Sequence, residues 1–159
     1  MPERGVPTQI DGDAPVLARH EVAIEAPLET IWQLHIDVNE WPTWQPDIPE
    51  AHLDGDFVPG ASFSWTISGL SVTSPIYDVS PPTGDVSPQS RTLWGGTAQG
   101  ITGIHEWTFR DMTQGVIVAT NESFAGEPVE ADPAVMQSQL DTSLIAWLGH
   151  LKRAAESRV

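Results

Sequence analysis

DPAVMQSQLDTSLIAWLGHLKRAAESRV, Asp132 to Val159, is the stretch whose reading decides the fold. Asp132 is a good helix N-cap, and Pro133 suits the first helical position, where no amide hydrogen is needed. From there Met136, Leu140, Leu144, Trp147, Leu148, Leu151 and Ala155 recur at helical spacing, one apolar stripe lasting about six turns. Lys152, Arg153 and Arg158 fall near the C-terminal end, where cations complement the helix dipole. A helix this long with one apolar face needs a partner surface. The rest of the chain has to supply it.

That surface reads as a sheet. VLARHEVAIE (16–25) alternates, with His20, Val22 and Ile24 on one face and Arg19, Glu21, Ala23 and Glu25 on the other. Ala26-Pro27 ends this strand, and Leu28, Ile31, Trp32, His35 and Val38 follow at helical spacing, predicting an amphipathic helix over 27–38. Pro42, Pro46 and Pro49 forbid a long continuation, which leaves one short helical turn near 39–44. From 48 to 124 the signals come at hairpin intervals. ASFSWTIS puts Phe63, Trp65 and Ile67 on one face. QSRTLWGGTAQG is a strand with Gly95 and Gly96 marking a bulge or bend. ITGIHEWTFRD puts His105, Trp107 and Phe109 together, and GVIVATNESF closes the sheet before Gly126 and Pro128. PPTGDVSP is a long loop. A single antiparallel sheet buries its apolar face only if something covers it, so the expected fold is α+β: a curved, seven-stranded antiparallel sheet wrapped around the C-terminal helix, with two short helices after strand 1.

Composition narrows the function. The 159 residues fit one domain; 1–14 read as a flexible, Pro- and charge-rich tail and 15–159 as the domain. No cysteine is present, which excludes disulfides, thiolate metal sites and a cysteine nucleophile. The net charge of -15 repels nucleic acid and anionic headgroups. No apolar run approaches the ~20 residues of a membrane span, and the first residues lack the apolar core of a signal peptide. The expectation is a cytoplasmic protein, monomer or homodimer, with no nucleic-acid partner and no membrane insertion. The five histidines show no metal-binding spacing, so neither metal nor cofactor is expected.

Several segments together resemble the START-like, or Bet v 1-like, superfamily, in particular its bacterial polyketide cyclase/dehydrase and lipid-transport (SRPBCC) branch. They are IEAPLETIW (24–32), DVNEWPTWQPDI (37–48), GIHEWTF (103–109), TNESFAG (120–126) and WLGHLKRAAE (147–156), within about residues 16–157. The resemblance implies a helix-grip fold with a deep cavity between sheet and helix. It implies no catalytic set, since the superfamily spans cyclases, carriers and sensors.

Seven tryptophans against one tyrosine suit such a cavity, because indoles supply stiff apolar wall with a single donor. Trp65, Trp94, Trp107, Phe109, Phe124 and Leu144 are the expected walls. Trp41 and Trp44 flank the Pro-rich entry, either as a wedge on the helix end or as a lid. With no GxSxG and no phosphate loop, acid/base chemistry or plain binding remains. Glu122 shares a strand face with Val116, Val118, Thr120 and Phe124. If that face is inward, its carboxyl sits in an apolar cavity, its pKa rises and it can act as acid or base. His105 is its expected partner and Tyr77 a helper, although parity leaves Tyr77's face open. Asp78, Ser74 and Gln99 are weaker candidates. The functions these features support are cyclisation or dehydration of a small hydrophobic, polyketide-like molecule, a non-catalytic carrier or sensor of a lipid or terpenoid, and a module docking a basic protein through the acidic surface.

Overall fold

The computed structural model describes residues 6–82 and 89–158. In chain order it contains β1 (Val16–Ile24), α1 (Leu28–Ile36), a 3-10 turn (Val38–Glu40), α2 (Trp41–Trp44), β2 (Ala51–Leu53), β3 (Ser62–Ile67), β4 (Leu70–Ser80), β5 (Gln89–Ala98), β6 (Ile101–Met112), β7 (Gly115–Ala125), α3 (Glu127–Ala131) and α4 (Pro133–Glu156). The strands form one seven-stranded sheet in the order β1-β7-β6-β5-β4-β3-β2, every pair antiparallel. The fold class read from the sequence is the fold observed.

Local chemistry explains the boundaries. The Asp132 carboxylate accepts the Val135 amide at 3.3 Å, capping α4 where the sequence places its start. Pro27 stands one position earlier than expected, as the extended residue before α1 rather than its first helical residue. The helix expected over 27–38 stops at Ile36, and Asp37 turns the chain into the 3-10 segment. The short α3 is absent from the sequence reading, because five residues are too few to show a period. Residues 83–88 of the expected long loop, and 1–5 of the expected tail, lie outside the described residues.

The predicted irregularity near Gly95-Gly96 lies in the facing strand. β5 pairs with β6 without a break, whereas the β4–β5 register shifts between Ile76 and Asp78, leaving Tyr77 unpaired. The two glycines matter for close approach. A Cβ on Gly96, which has φ of 143°, would stand 2.6 Å from the Thr73 carbonyl oxygen, and one on Gly95 would stand 2.4 Å from that of Gly103.

The apolar stripe of α4 is buried as two patches. Trp147, Leu148, Leu151 and Ala155 join the main core with α1, α2 and the inward faces of β3 to β7. Leu140 and Leu144 join a smaller core with Val16, Ala18 and Val129. Ahead of β1, Ile10 is buried, the Asp11 amide donates to Ser123 Oγ at 3.0 Å, and Arg91 donates to the Thr8 carbonyl at 2.8 Å. Residues 8–11 thus have sheet contacts that their composition does not announce. Among the described residues, no helix is long and apolar enough to cross a membrane.

Leu151 has no exposed surface and sits where α4 meets the main core. Leu151→Ala is expected to cost ~2–5 kcal/mol, the usual penalty for a fully buried leucine, read from urea unfolding at constant slope.

Candidate functional site

α4 runs along β1, held by Gln137 donating to the Leu17 carbonyl at 2.8 Å and by the His20–Asp141 pair at 2.7 Å, and faces the β3–β5 part of the sheet across a gap. A cavity of about 440 Å³ lies there. Its walls are Trp65, Trp94, Trp147 and Phe124, with Ile67, Leu70 and Val72 from the β3–β4 hairpin and Met136, Leu140 and Leu144 from α4. Six polar side chains reach it: Ser68, Ser74, Gln99, Glu122, Gln139 and Ser143. Ser68 and Gln99 are exposed and stand at the tips of two hairpins. Each has a positive φ, 51° and 50°, and each precedes a glycine that does too. Two successive left-handed residues make the tight two-residue turn that matches strand twist, so both hairpins end abruptly at the cavity rim.

Glu122 is the ionisable group among these lining residues. β7 presents it on the inward face, in register with His105 on β6 and Ala18 on β1. Gly103 leaves room for it: a Cβ there would lie 3.2 Å from Glu122 Oε2 and 3.2 Å from the Phe124 ring. The Glu122 side chain is 14% exposed. Burial pushes its pKa up to about 8, so it is largely a neutral acid at pH 7.

His105 lies beneath the cavity rather than in its wall. It is 1% exposed, Nε2 is 2.6 Å from Thr120 Oγ1, and its ring centroid is 4.6 Å from that of Trp94. Its Nδ1 has no hydrogen-bond partner and faces Glu122 Oε1 at 3.5 Å. That separation is too long for a hydrogen bond, but a small side-chain rotation closes it. Burial, and secondarily His35, hold the imidazole well below its ordinary pKa. A neutral imidazole next to a neutral carboxyl is a matched pair, because the lone pair on Nδ1 can accept a hydrogen bond from the acid. The Thr120 hydroxyl can accept from Nε2 or donate to it, so either tautomer is satisfied.

The structure gathers some of the expected residues and disperses others. Trp65, Trp94, Phe124, Leu144 and Glu122 line the cavity. Trp107 and Phe109 share the inward face, but both are fully buried against His35, at ring distances of 5.0 and 4.9 Å. They belong to the main core. Trp41 is a wedge: it has no exposed surface, donates to the His35 carbonyl at 3.0 Å, and packs 5.4 Å from Trp147. Trp44 is half-buried on the same core, outside the cavity lining. Tyr77 is also outside it. Its ring lies 3.1 Å from where a Gly95 Cβ would be, and Gly95 faces away from the neighbouring Trp94. The phenol therefore sits over the convex face, remote from Glu122. Asp78 is on that face too, paired with Arg91 at 3.0 Å. Ser74 does line the cavity and accepts the Trp65 indole N–H at 2.9 Å, leaving its own hydroxyl proton free. Sequence reading misses Trp147, Met136, Gln139 and Ser143 as walls, since a helical stripe reads as core.

The buried groups make stability depend on pH with a definite sign. The native state keeps the Glu122 proton up to about pH 8 while the unfolded chain loses it near 4.5, so this carboxyl lowers stability as pH rises across that window. His35, lowered to about 3, and His105 are neutral when native, while the unfolded imidazoles charge below 6.5, so these two lower stability as pH falls. Stability should peak near pH 6.5 and drop by about 1 kcal/mol towards pH 8, because the unfolded imidazoles still losing protons there offset part of the Glu122 effect. In Glu122→Gln the alkaline drop should vanish while the acid limb stays, as urea midpoints across pH will show.

No family model matches the chain, and no curated protein matches it in sequence. Solved structures do resemble it. A hypothetical protein from Helicobacter pylori has a TM-score of 0.79 at 18% identity, covering 98% of this chain and 98% of that one. The ZhuI aromatase/cyclase from Streptomyces sp. R1128 has a TM-score of 0.72 at 16% identity, covering 89% and 94%. A START superfamily protein from Mycobacterium smegmatis has a TM-score of 0.61 at 17% identity, covering 90% and 96%. With its curved sheet closed on a long C-terminal helix, the chain has the START-like, helix-grip fold of these proteins.

Proposed function

We propose that the chain binds a small hydrophobic, polyketide-like molecule in the cavity between the sheet and α4, and that Glu122 moves protons in its cyclisation or dehydration. One observation carries the reading. A buried carboxyl, the one ionisable side chain among the lining residues, stands in a Trp-walled cavity with an unpartnered imidazole nitrogen behind it. A buried carboxyl without a counter-ion lowers stability, and an acid held neutral near pH 7 is what a general acid needs. The likeness of fold to an aromatase/cyclase agrees with this reading.

In a dehydration, the Glu122 carboxyl donates its proton to the departing hydroxyl, which leaves as water. The resulting carboxylate then takes the proton from the neighbouring carbon, and the double bond forms. The acid is restored and the protons balance. His105 acts through Glu122 as a positioning residue: its neutral Nδ1 orients the carboxyl. Trp65, Trp94 and Trp147 hold the chain of the substrate in place, and the free Ser74 hydroxyl can donate to a substrate oxygen.

Glu122→Gln should lower turnover of a β-hydroxyketone or poly-β-ketone surrogate at least ~100-fold while the dissociation constant of the product changes little. Wild-type turnover should fall as pH rises above about 8. An unchanged rate in Glu122→Gln would remove the catalytic assignment. A tightly held lipid or terpenoid in native mass spectra, with no turnover of any surrogate, would favour the carrier instead.

A further inference from the structure

The cavity contains one chemical asymmetry that catalysis by Glu122 does not need. Among its lining residues there is no lysine, arginine or histidine, and the ionisable group is a carboxyl. His105 faces that carboxyl from β6, but it is held neutral. β1 presents Ala18 opposite it, and α4 presents Gln139 and Ser143, which carry no charge. Three indoles share the same space. Trp65, Trp94 and Trp147 have ring centroids 5.7, 5.7 and 6.1 Å apart and planes inclined at 87°, 59° and 50°, so they pack on one another as one continuous indole wall.

We infer that the ligand carries a positive charge: the cavity is built for a hydrophobic amine or quaternary ammonium, its cationic head beside the Glu122 carboxylate against the edge of the indole wall and its apolar body along Phe124, Leu140 and Leu144. This rests on the cavity being the ligand site, and not on any turnover. Three effects favour the cation. Indole faces attract it, and more strongly once water is excluded. Glu122 gains the counter-ion that no protein group supplies, which offsets the cost of ionising it in an apolar place. The protein's charge of -15 attracts cations to the molecule as a whole. The same features exclude fatty acids and anionic lipids, whose head groups would meet a carboxyl and no donor cation. An alkylated ammonium suits the site best, because its hydration is weak and its charge is spread over methyl groups.

The test is calorimetric titration of the intact protein with three probes of one skeleton: 2-naphthylmethyl-trimethylammonium, its neutral isostere 2-neopentylnaphthalene, and 2-naphthylacetate. The cation bears no titratable proton, so a proton released on binding comes from the protein. At pH 8.5 the cation should bind about tenfold tighter than the neutral isostere, the anion should bind weakest, and the advantage of the cation should shrink as pH falls below 8. Glu122→Gln should bind the isostere as wild type does and lose the pH-dependent part of the advantage. A cation that binds no better than a well-bound isostere, or an anion that binds best, overturns the charge inference and leaves the cavity as the ligand site. Failure of all three probes would overturn the site itself.

Discussion

Trp147 is where helix and sheet are locked together. It projects from α4 into a ring of aromatics: Trp107 at 5.3 Å, Trp41 at 5.4 Å, Trp65 and His105 at 5.7 Å, and Trp94 at 6.1 Å. These rings come from α2, β3, β5 and β6, so one side chain ties four other elements to the helix. Indoles do this well because they are large and stiff, and edge-to-face pairs add to the area they bury. On one side of Trp147 the packing is dense, down to Leu151 and Ala155. On the other side Leu144, one turn away, and Leu140 pack with Val16 and Ala18 of β1. The cavity opens beside them, between this part of α4 and β3 to β5. Interiors close-pack wherever they can, and unfilled space of this size costs stability.

The sequence makes the framework legible and the depth of each residue illegible. Alternation correctly assigns His105, Trp107 and Phe109 to the inward face, and the helical stripe correctly orients α4. Parity reports a face, however, and not a layer. Trp107 and Phe109 face inward at a point where α1 already fills the space, with His35 against both rings, whereas Trp94, equally buried, stands at the edge of the cavity. No local pattern distinguishes the two, because the distinction depends on where α1 crosses the sheet. Trp147 shows the same limit from the helix side, being both core and cavity wall. Tyr77 shows another. The register shift at that residue breaks the alternation that would have placed it, so its face follows from pairing with β5 and not from its neighbours in sequence.

Two glutamates show how sheet face decides chemistry. Glu106 and Glu122 lie on adjacent strands, one residue apart in register, since His105 pairs with Glu122 and Glu106 with Asn121. Glu106 points to the convex side. Burial alone would raise its pKa, but hydrogen bonds from Asn121 at 3.0 Å and Arg91 at 2.7 Å outweigh that and hold it below the ordinary value. It is a fixed anion that fastens Arg91, Asp78 and the backbone of Thr8 into one network. Glu122 points to the concave side, where no cation comes near, and the same residue type stays protonated. Each carboxyl is determined by what the opposite face lacks. The absence of basic side chains from the concave lining is thus as much a part of the site as the carboxyl, because it keeps an acid available to whatever molecule enters.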